Sequence, residues 1–446
     1  MHTEHPQHRE EHPDPAFPRL HGRPDRGWVN DPNGCSYVDG RYHLFFQHNP
    51  DRSLHAAIKW GHVSSTDLVH WRHEPIALVN RPGELDAYGC WSGCVVDDAG
   101  APTAVYSGVV DDGGRCQVLL ARSDRRMQTW VPESGSVAGM PDDPAVTDVR
   151  DPFVFELAGH RYAVQGAGHR RGQPQLLVYG CDDLRAWTPL GRLLTTADRL
   201  AATAAPANVW ECPNLVRVDD RWVLLVSLWR RVGDDFSLDG VRWFVGDLAD
   251  GPAGPRFTPR LAGELDSGPT FYAPRVLPIG DRVLLWGWSR EDSRNAEEVA
   301  AAGWAGVLTF ARELSLVDDV LVSRPAAELD ALRREPLPVV SGEPFEAAAF
   351  DLDLGGVTGP VSLWLVDGDD ADAGTAARLV AEWDISPTPL VPPRVLVDGS
   401  IIEIFDGGPV ARTVRAYPTA TSRWVVRTMG GSPVSGWLLG LAAGSV

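Results

Sequence analysis

The sequence predicts an all-β protein in which a five-bladed β-propeller is followed by a C-terminal β-sandwich. Three observations predict it: short strands bounded by turn residues, a repeat of about 60 residues, and renewed strand alternation near the C-terminus. The chain has 446 residues, more than one hydrophobic core usually organises, so two domains are expected. We assign a flexible N-terminal tail to residues 1–21, the propeller to 22–322, a linker with a short helix to 323–343 and the sandwich to 344–446.

The first 21 residues are polar and rich in histidine, and we expect them to be mobile. His2, His5, His8 and His12 could bind a metal, although a polar tail is the simpler interpretation. The tail contains no apolar stretch long enough for a signal peptide or a membrane helix, so we expect a cytoplasmic protein. The six cysteines do not have zinc-binding spacing and are expected to be free thiols.

Short segments rich in β-branched and aromatic residues follow one another from Trp28 to Leu316, separated by Gly, Asp and Pro. Examples are residues 42–47, 103–109, 117–123, 162–168, 222–228 and 282–288. Three segments that close a unit end in Trp71, Trp130 and Trp187, at intervals of 59 and 57 residues. A period of this size is typical of propeller blades.

Five turn-forming clusters open the units. They are NDPNG (30–34), CWSGC (90–94), VRDPF (149–153), WECPN (210–214) and DSGPT (266–270). The innermost strands of a propeller line a central channel, so we expect Asp31, Asp151, Glu211 and Asp266 to meet at one mouth. Turn formation alone could explain the aspartates, but it explains poorly a glutamate between a tryptophan and a Cys-Pro pair. Converging carboxylates are what glycoside hydrolysis requires.

The C-terminal part begins with a helical pattern at 323–335, which Pro336 and Pro338 end. Strand patterns then return and predict an antiparallel sandwich. They lie at 361–366, 377–385, 400–406 and 422–428.

The formal net charge of −19 excludes a nucleic-acid partner and argues against an anionic membrane surface. The 17 tryptophans suit a protein that stacks indole rings on sugars, although most of them are expected in the core. We therefore expect a small-molecule sugar substrate, no cofactor and no metal. The oligomeric state stays open.

Six motifs in one order resemble glycoside hydrolase family 32, the family of invertases and fructanases. They are WVNDPNG (28–34), QHNP (47–50), WSG (91–93), RDP (150–152), ECP (211–213) and DSGPTFYAP (266–274). VDGSIIEIFDGG (397–408) is similar to the sandwich domain of that family. The resemblance implies a retaining β-fructosidase without a cofactor.

The resemblance also implies a role for individual residues. Asp31 resembles the nucleophile, Asp151 the transition-state stabiliser and Glu211 the acid/base. Residues that resemble the sugar pocket are Asn30, Gln47, Trp60, Trp91, Ser92, Arg150, Cys212, Tyr272 and Trp288. Arg150 is expected to help keep Asp151 ionised, and Cys212 to influence the protonation of Glu211.

The sequence departs from the family pattern at three positions. His55 stands near a position where the family often has tryptophan, Trp91 where it often has phenylalanine, and Cys94 where it commonly has serine. These changes leave the three carboxylates intact and affect only the expected shape of the pocket wall. Trp60 and Trp288 could instead be core residues, and Ser92 a turn residue.

Three alternatives remain beside a β-fructosidase. A fructosyltransferase uses the same carboxylates, and a pentosan-cleaving glycosidase has the same fold but lacks the paired NDPNG and ECP motifs. A non-catalytic fructoside-binding protein would be expected to lose a carboxylate. Among substrates we expect sucrose or short fructo-oligosaccharides, attacked from the end. Phosphorylated sucrose and inulin-type or levan-type oligomers stay open, because the many arginines could supply a phosphate clamp.

Overall fold

The computed structural model describes residues 12–111, 113–252, 254–368 and 377–442. Strands make up 58% of it and helices 5%, which confirms the all-β prediction. The possible metal ligands His2, His5 and His8 lie outside the described residues. Within the described part of the chain, the strands form seven sheets.

The first four sheets are each an antiparallel series of four consecutive strands. They contain β1 (Gly27–Val38), β2 (Arg41–Asn49), β3 (Lys59–Ser65) and β4 (Trp71–His73); β5 (Gly89–Asp98), β6 (Ala101–Val109), β7 (Gln117–Ser123) and β8 (Trp130–Pro132); β9 (Val146–Leu157), β10 (His160–His169), β11 (Gln173–Gly180) and β12 (Thr188–Thr195); and β13 (Val209–Val218), β14 (Arg221–Val232), β15 (Asp235–Ala249) and β16 (Arg256–Asp266). The repeat seen in the sequence is therefore a repeat of four-stranded sheets.

A fifth sheet completes the N-terminal part and connects back to the first. It contains β17 (Phe271–Ile279), β18 (Arg282–Ser289), β20 (Val307–Leu308), β21 (Arg312–Val317) and β22 (Val320–Pro325), and β19 (Trp304–Ala305) lies between β18 and β20 in the chain. Instead of joining this sheet, β19 pairs in parallel with β1 of the first sheet. The last unit of the series is thus hydrogen-bonded to the first.

The sequence repeats fall at defined places in these sheets. Trp71 and Trp130 begin β4 and β8, and Trp187 directly precedes β12. Four of the five opening clusters lie inside the first strand of a sheet. The fifth, at 266–270, does not, because Asp266 ends β16 and the next strand starts at Phe271.

Two further sheets form the C-terminal part. Their strands are β23 (Arg333–Val339), β24 (Pro344–Phe345), β25 (Ala349–Asp353), β26 (Gly359–Asp367), β27 (Ala377–Ile385), β28 (Arg394–Asp398), β29 (Ile401–Phe405), β30 (Arg412–Arg415), β31 (Ser422–Thr428) and β32 (Val434–Leu439). One sheet has the order β23-β32-β25-β28-β29-β30 and the other the order β24-β31-β26-β27. Phe350 and Ile402 of the first sheet and Leu363 and Trp424 of the second belong to one buried cluster, so the two sheets share a core.

The helices are short: α1 (Arg199–Ala204), α2 (Ala296–Ala302) and two 3₁₀ turns (Ala327–Leu332 and Met429–Gly431). The helix expected within 323–335 is the first of these 3₁₀ turns. The strand β23 begins inside the predicted linker 323–343, so the C-terminal sheets start earlier than expected. No helix among the described residues is long and apolar enough to cross a membrane.

The end of the predicted flexible tail is packed against the protein, which corrects the expectation for residues 14–21. Phe17 and Leu20 are buried, and Phe17 makes an edge-on contact with Trp304. The backbone N–H groups of Arg19 and Leu20 donate to the Asp398 carboxylate at 2.9 and 2.7 Å. The polar composition predicted a mobile segment, but buried apolar side chains and hydrogen bonds to Asp398 hold it against the protein.

Candidate active site

The first strands of the five N-terminal sheets share a local irregularity. Each has a bulge at the same level, and the residues at the equivalent position in the five bulges are Asp31, Ser92, Asp151, Cys212 and Ala273. Asp151, Cys212 and Ala273 have positive φ angles of 60°, 45° and 47°. A bulge changes the direction of a side chain, and strained backbone of this kind is concentrated at functional sites.

Asp31 accepts hydrogen bonds from side chains of two sheets. The Ser92 hydroxyl and the Gln47 amide donate to its Oδ2 at 2.6 and 3.1 Å, and the Asn30 amide donates to Oδ1 at 3.0 Å. Burial raises the pKa of Asp31, the hydrogen bond from Ser92 opposes this, and the charge of Glu211 adds to the increase. The three donors orient the carboxylate and stabilise its ionised form.

Asp151 lies beside Asp31, and Cys212 connects the two. The Cys212 thiol is 3.5 Å from Oδ2 of each aspartate, and its backbone N–H donates to Asp151 Oδ2 at 2.9 Å. Burial raises the pKa of Asp151, and the positive charge of Arg150 opposes the increase. Cys212 therefore contacts the two aspartates, whereas we expected its influence on Glu211.

Glu211 is held by Arg150 and Tyr272. The Arg150 Nε–H donates to Oε1 and the Tyr272 hydroxyl donates to Oε2, both at 2.8 Å. Burial raises the pKa of Glu211, Arg150 lowers it and the charge of Asp151 raises it. Arg150 thus forms ion pairs with Glu211 at 2.8 Å and with Asp148 at 3.7 Å, and its positive charge also favours the ionised form of Asp151, as expected.

Aromatic rings form a wall beside the three carboxylates. Trp28 contacts Trp288 and His55, with ring centroids 5.7 and 6.1 Å apart, and His55 contacts Trp91 at 5.8 Å. Trp28 also donates from Nε1 to Asn30 at 2.7 Å. His55, which stands near a position where the family often has tryptophan, thus forms part of the wall.

Trp60 and Asp266 lie elsewhere than predicted. Trp60 is fully buried, and its Nε1 donates to the Trp91 carbonyl at 3.1 Å, so it supports the wall from behind. Asp266 is paired with Arg312 at 2.8 Å and accepts the backbone N–H of Thr413 at 2.8 Å. These partners place Asp266 against the C-terminal sheets because it ends an outer strand.

The hairpin formed by β14 and β15 borders the site on the Glu211 side. The Arg150 guanidinium lies 5.6 Å from the Trp229 ring, and Trp229 stacks on Phe236 at 5.8 Å. Leu238, the pairing partner of Trp229, packs against the cluster that contains Tyr272 and Trp288. We did not identify this hairpin from the sequence, although aromatic residues at a strand end are a recognisable signal for a binding surface.

Three carboxylates from three first strands, with indole rings beside them, are the arrangement that a glycoside hydrolase requires. Residues 21–325 match the model of the glycosyl hydrolases family 32 N-terminal domain. The chain belongs to glycoside hydrolase family 32, and it is a glycosidase.

Individual relatives agree with this assignment. The chain is 32% identical over 432 residues to a sucrose-6-phosphate hydrolase of Salmonella typhimurium, covering 92% of this chain and 90% of the relative. It is 33% identical over 339 residues to a raffinose invertase of Escherichia coli, covering 72% and 67%. The structure is similar to the β-fructofuranosidase BmSUC1 of Bombyx mori, with a TM-score of 0.79, 25% identity and coverage of 96% and 95%.

Proposed function

We propose that this enzyme hydrolyses terminal β-fructofuranosyl bonds in sucrose or short fructo-oligosaccharides, with retention of configuration. The observation that carries the proposal is the convergence of Asp31, Asp151 and Glu211 through Cys212 and Arg150. A variant of the related Bombyx mori enzyme is described in complex with sucrose, which supports the choice of substrate.

The chemistry proceeds in two displacements. Asp31 attacks the anomeric carbon of the fructosyl unit, and the bond to the leaving-group oxygen breaks as Glu211 gives that oxygen its proton. Glu211 then takes a proton from water, the water oxygen bonds to the anomeric carbon, and the bond to Asp31 breaks. Burial raises the pKa of Glu211, which favours the protonated form that the first step needs. Asp151 binds sugar hydroxyls and stabilises the positive charge of the transition state.

We also propose that the five N-terminal sheets are propeller blades and that the two C-terminal sheets form a sandwich. Support comes from the repeated four-strand order and from the pairing of β19 with β1, which ties the ends of the series together. The carboxylates lie in the first half of their strands, and we propose that they face one mouth of the channel, where the site forms a funnel. Such a funnel admits a chain end, which is why attack from the terminus is expected.

The test is a panel of sucrose, kestose, inulin and levan with chromatography of early products. Fructose as the sole early product from fructans, with rates that fall as the chains lengthen, supports the proposal. Oligosaccharides released from the interior of a polymer would refute terminal attack. Proton NMR that shows the α anomer of fructose first would refute retention.

Phosphorylated sucrose is a second candidate substrate, and Arg231 is the observation that favours it. Trp229 and Arg231 point to the same face of β14, since side chains alternate along a strand. The Arg231 guanidinium lies 5.6 Å from the Trp229 ring, on the side of the hairpin that borders Arg150. Arg231 is exposed and has no ion pair with any described residue, whereas Arg230, on the opposite face, is paired with Asp239 at 2.8 Å.

Arg230 therefore serves as a matched control for Arg231. We expect Arg231→Gln to raise KM for sucrose 6-phosphate about tenfold, which corresponds to the loss of one charge-assisted contact. KM for sucrose should stay unchanged, and Arg230→Gln should change neither value. Equal effects of Arg231→Gln on both substrates would eliminate the phosphate contact.

A further inference from the structure

Arg275 is a buried cation below the floor of the active site that the proposed chemistry does not use. It lies in β17 and is 1% exposed. Its Nη1 donates to the Pro213 carbonyl at 3.2 Å, and its guanidinium lies 5.6 Å from the Phe153 ring. Pro213 follows Cys212 in the chain and Phe153 lies two residues after Asp151, so Arg275 reaches the two strands that carry Asp151 and Glu211.

The rest of the Arg275 guanidinium has no protein partner among the described residues. Nε and Nη2 are buried without a hydrogen bond, and Arg275 forms no ion pair, with any residue that the structure describes. The side chain borders a cavity of about 320 Å³ that the first strands line, with Cys35, Ser36 and Cys94 nearby. A buried charge without an ion pair is unfavourable unless a field of opposite sign stabilises it.

The ionised Asp151 supplies part of that field, and Arg275 in turn favours its ionised form. Arg150 is the other cation at the site, and it is paired with Asp148 at 3.7 Å as well as with Glu211 at 2.8 Å. Arg150 alone therefore does not balance the carboxylates, and the positive charge of Arg275 reduces the excess negative charge while Glu211 is protonated.

We propose that Arg275 is a positioning residue that keeps Asp151 ionised while Glu211 holds the catalytic proton. This role rests on the proposed hydrolytic function. Arg275 acts through space as a positive charge, and it acts through the backbone by its hydrogen bond to Pro213. That bond holds the bulge in which Cys212, at a φ of 45°, donates its N–H to Asp151.

Other titratable groups around these residues do not supply the same charge. Arg275 contributes to lowering the pKa of Asp151, and Arg150 is the larger positive influence. Burial raises the pKa of Cys35 to about 12, and it also raises the pKa of Cys94, so both thiols beside the cavity stay neutral. The other titratable groups beside the trio are Arg150, Tyr272, Cys116 and Cys212, together with Asp148, which lies 3.7 Å from Arg150.

Three substitutions in the full-length enzyme separate charge from packing. Arg275→Met removes the charge and the hydrogen bond, Arg275→Gln removes the charge but retains an amide donor for Pro213, and Arg275→Lys retains the charge. Loss of the charge raises the pKa of Asp151, so the acid limb of the kcat/KM profile on sucrose should move to higher pH. We expect a shift of about one pH unit for Met and Gln and none for Lys.

Thermal unfolding establishes which variants are folded. The acid limb of each folded neutral variant, Arg275→Met or Arg275→Gln, is then compared with the acid limb of Arg275→Lys. Superimposable acid limbs in the wild type and a folded neutral variant would overturn the role of Arg275, as would equal shifts in the neutral variants and Arg275→Lys. If Met and Gln both fail to fold, a shifted acid limb in Arg275→Lys alone overturns it, and an unshifted limb supports it. A wild-type enzyme inactive on every β-fructoside would instead overturn the proposed function, and this role with it.

Discussion

Each of the three carboxylates proposed to be catalytic has its own set of hydrogen-bond partners, and this difference suits the separate roles that we propose for them. Asp31 accepts three side-chain donors, Asp151 accepts a backbone N–H, and Glu211 is held by Arg150 and Tyr272. Groups that share one site but differ in environment can differ in protonation, which is the requirement for an acid and a nucleophile to coexist.

Removal of any one carboxylate should abolish most of the activity. We expect Asp31→Ala, Asp151→Asn and Glu211→Gln each to lower kcat on sucrose by about a hundredfold or more, because each loses a covalent, electrostatic or proton-transfer function. Thermal unfolding of each variant should resemble that of the wild type. A near-normal kcat in any of the three would exclude the role given to that residue.

A substitution of Tyr272 tests the protonation of Glu211 while the Glu211 carboxyl group stays in place. The hydroxyl lowers the pKa of Glu211 by donating to Oε2, so Tyr272→Phe should raise that pKa further. The basic limb of the kcat/KM profile depends on a protonated Glu211 and should therefore move to higher pH. A basic limb that stays in place or moves to lower pH would contradict this assignment of the acid/base.

At the scale of elements, two bulges in first strands are supported by serines in the second strand of the preceding sheet. The Ser107 hydroxyl accepts the backbone N–H of Asp151 at 2.9 Å, and the Ser227 hydroxyl accepts that of Ala273 at 3.2 Å. Both serines are fully buried. A buried serine thus supports both the bulge that carries Asp151 and the bulge of Ala273, which carries no carboxylate.

This pair allows stability and catalysis to be separated. Ser107→Ala and Ser227→Ala each leave a buried N–H without its partner, so each should lower the free energy of unfolding by about 1–3 kcal/mol. Only Ser107→Ala releases the backbone of Asp151, and it should lower kcat several-fold more than Ser227→Ala does. Urea unfolding and steady-state kinetics measure the two effects. Equal kcat values in the two variants would show that the Asp151 bulge does not need this support.

At the scale of the whole molecule, a buried ionic network joins the N-terminal sheets, the C-terminal sheets and the N-terminal segment. Arg312 pairs with Asp266 and Glu403, at 2.8 and 2.7 Å, and His21 pairs with Asp398 at 2.7 Å. Removing one member of such a network leaves the others buried and unpaired, which is strongly destabilising. The network therefore makes the two parts interdependent.

The network also makes stability depend on pH. Burial opposes protonation of His21, but its bonds to Asp398 and Glu403 outweigh this and raise the pKa of His21 above 6.5. Burial likewise opposes ionisation of Glu403, but Arg312 and His21 lower the pKa of Glu403 below 4.5. The contribution of His21 is complete below pH 6.5 and is lost as the pH rises, whereas that of Glu403 is complete above pH 4.5 and is lost in acid.

We therefore expect the network to stabilise the fold most between pH 4.5 and 6.5. The difference in melting temperature between the wild type and His21→Gln should be largest in this window and should shrink as the pH rises. Scanning calorimetry across this range and into the alkaline region measures it. A difference that grows with rising pH would mean that His21 is neutral in the folded protein.

The sequence by itself determined the all-β class and the repeat, and it was enough to propose the three carboxylates. Strand patterns and turn residues are local signals, and the chemistry of a motif such as NDPNG or ECP lies in residues that are adjacent in the chain. Local information was also enough to expect that Asp31, Asp151 and Glu211 would come together, because the opening clusters of a repeat occupy equivalent places in space, although Glu211 lies one residue before the position equivalent to Asp31 and Asp151.

Only the tertiary structure decided which partner each side chain has. Arg150 binds Glu211 instead of its sequence neighbour, Trp60 lies behind the wall, and Asp266 belongs to the contact with the C-terminal sheets. Phe17 is buried although its segment is polar by composition. Arg275 is buried beside Pro213, which follows Cys212 in the chain. Bulges set the direction of a side chain and sheet packing sets its burial, and both depend on residues far away in the chain.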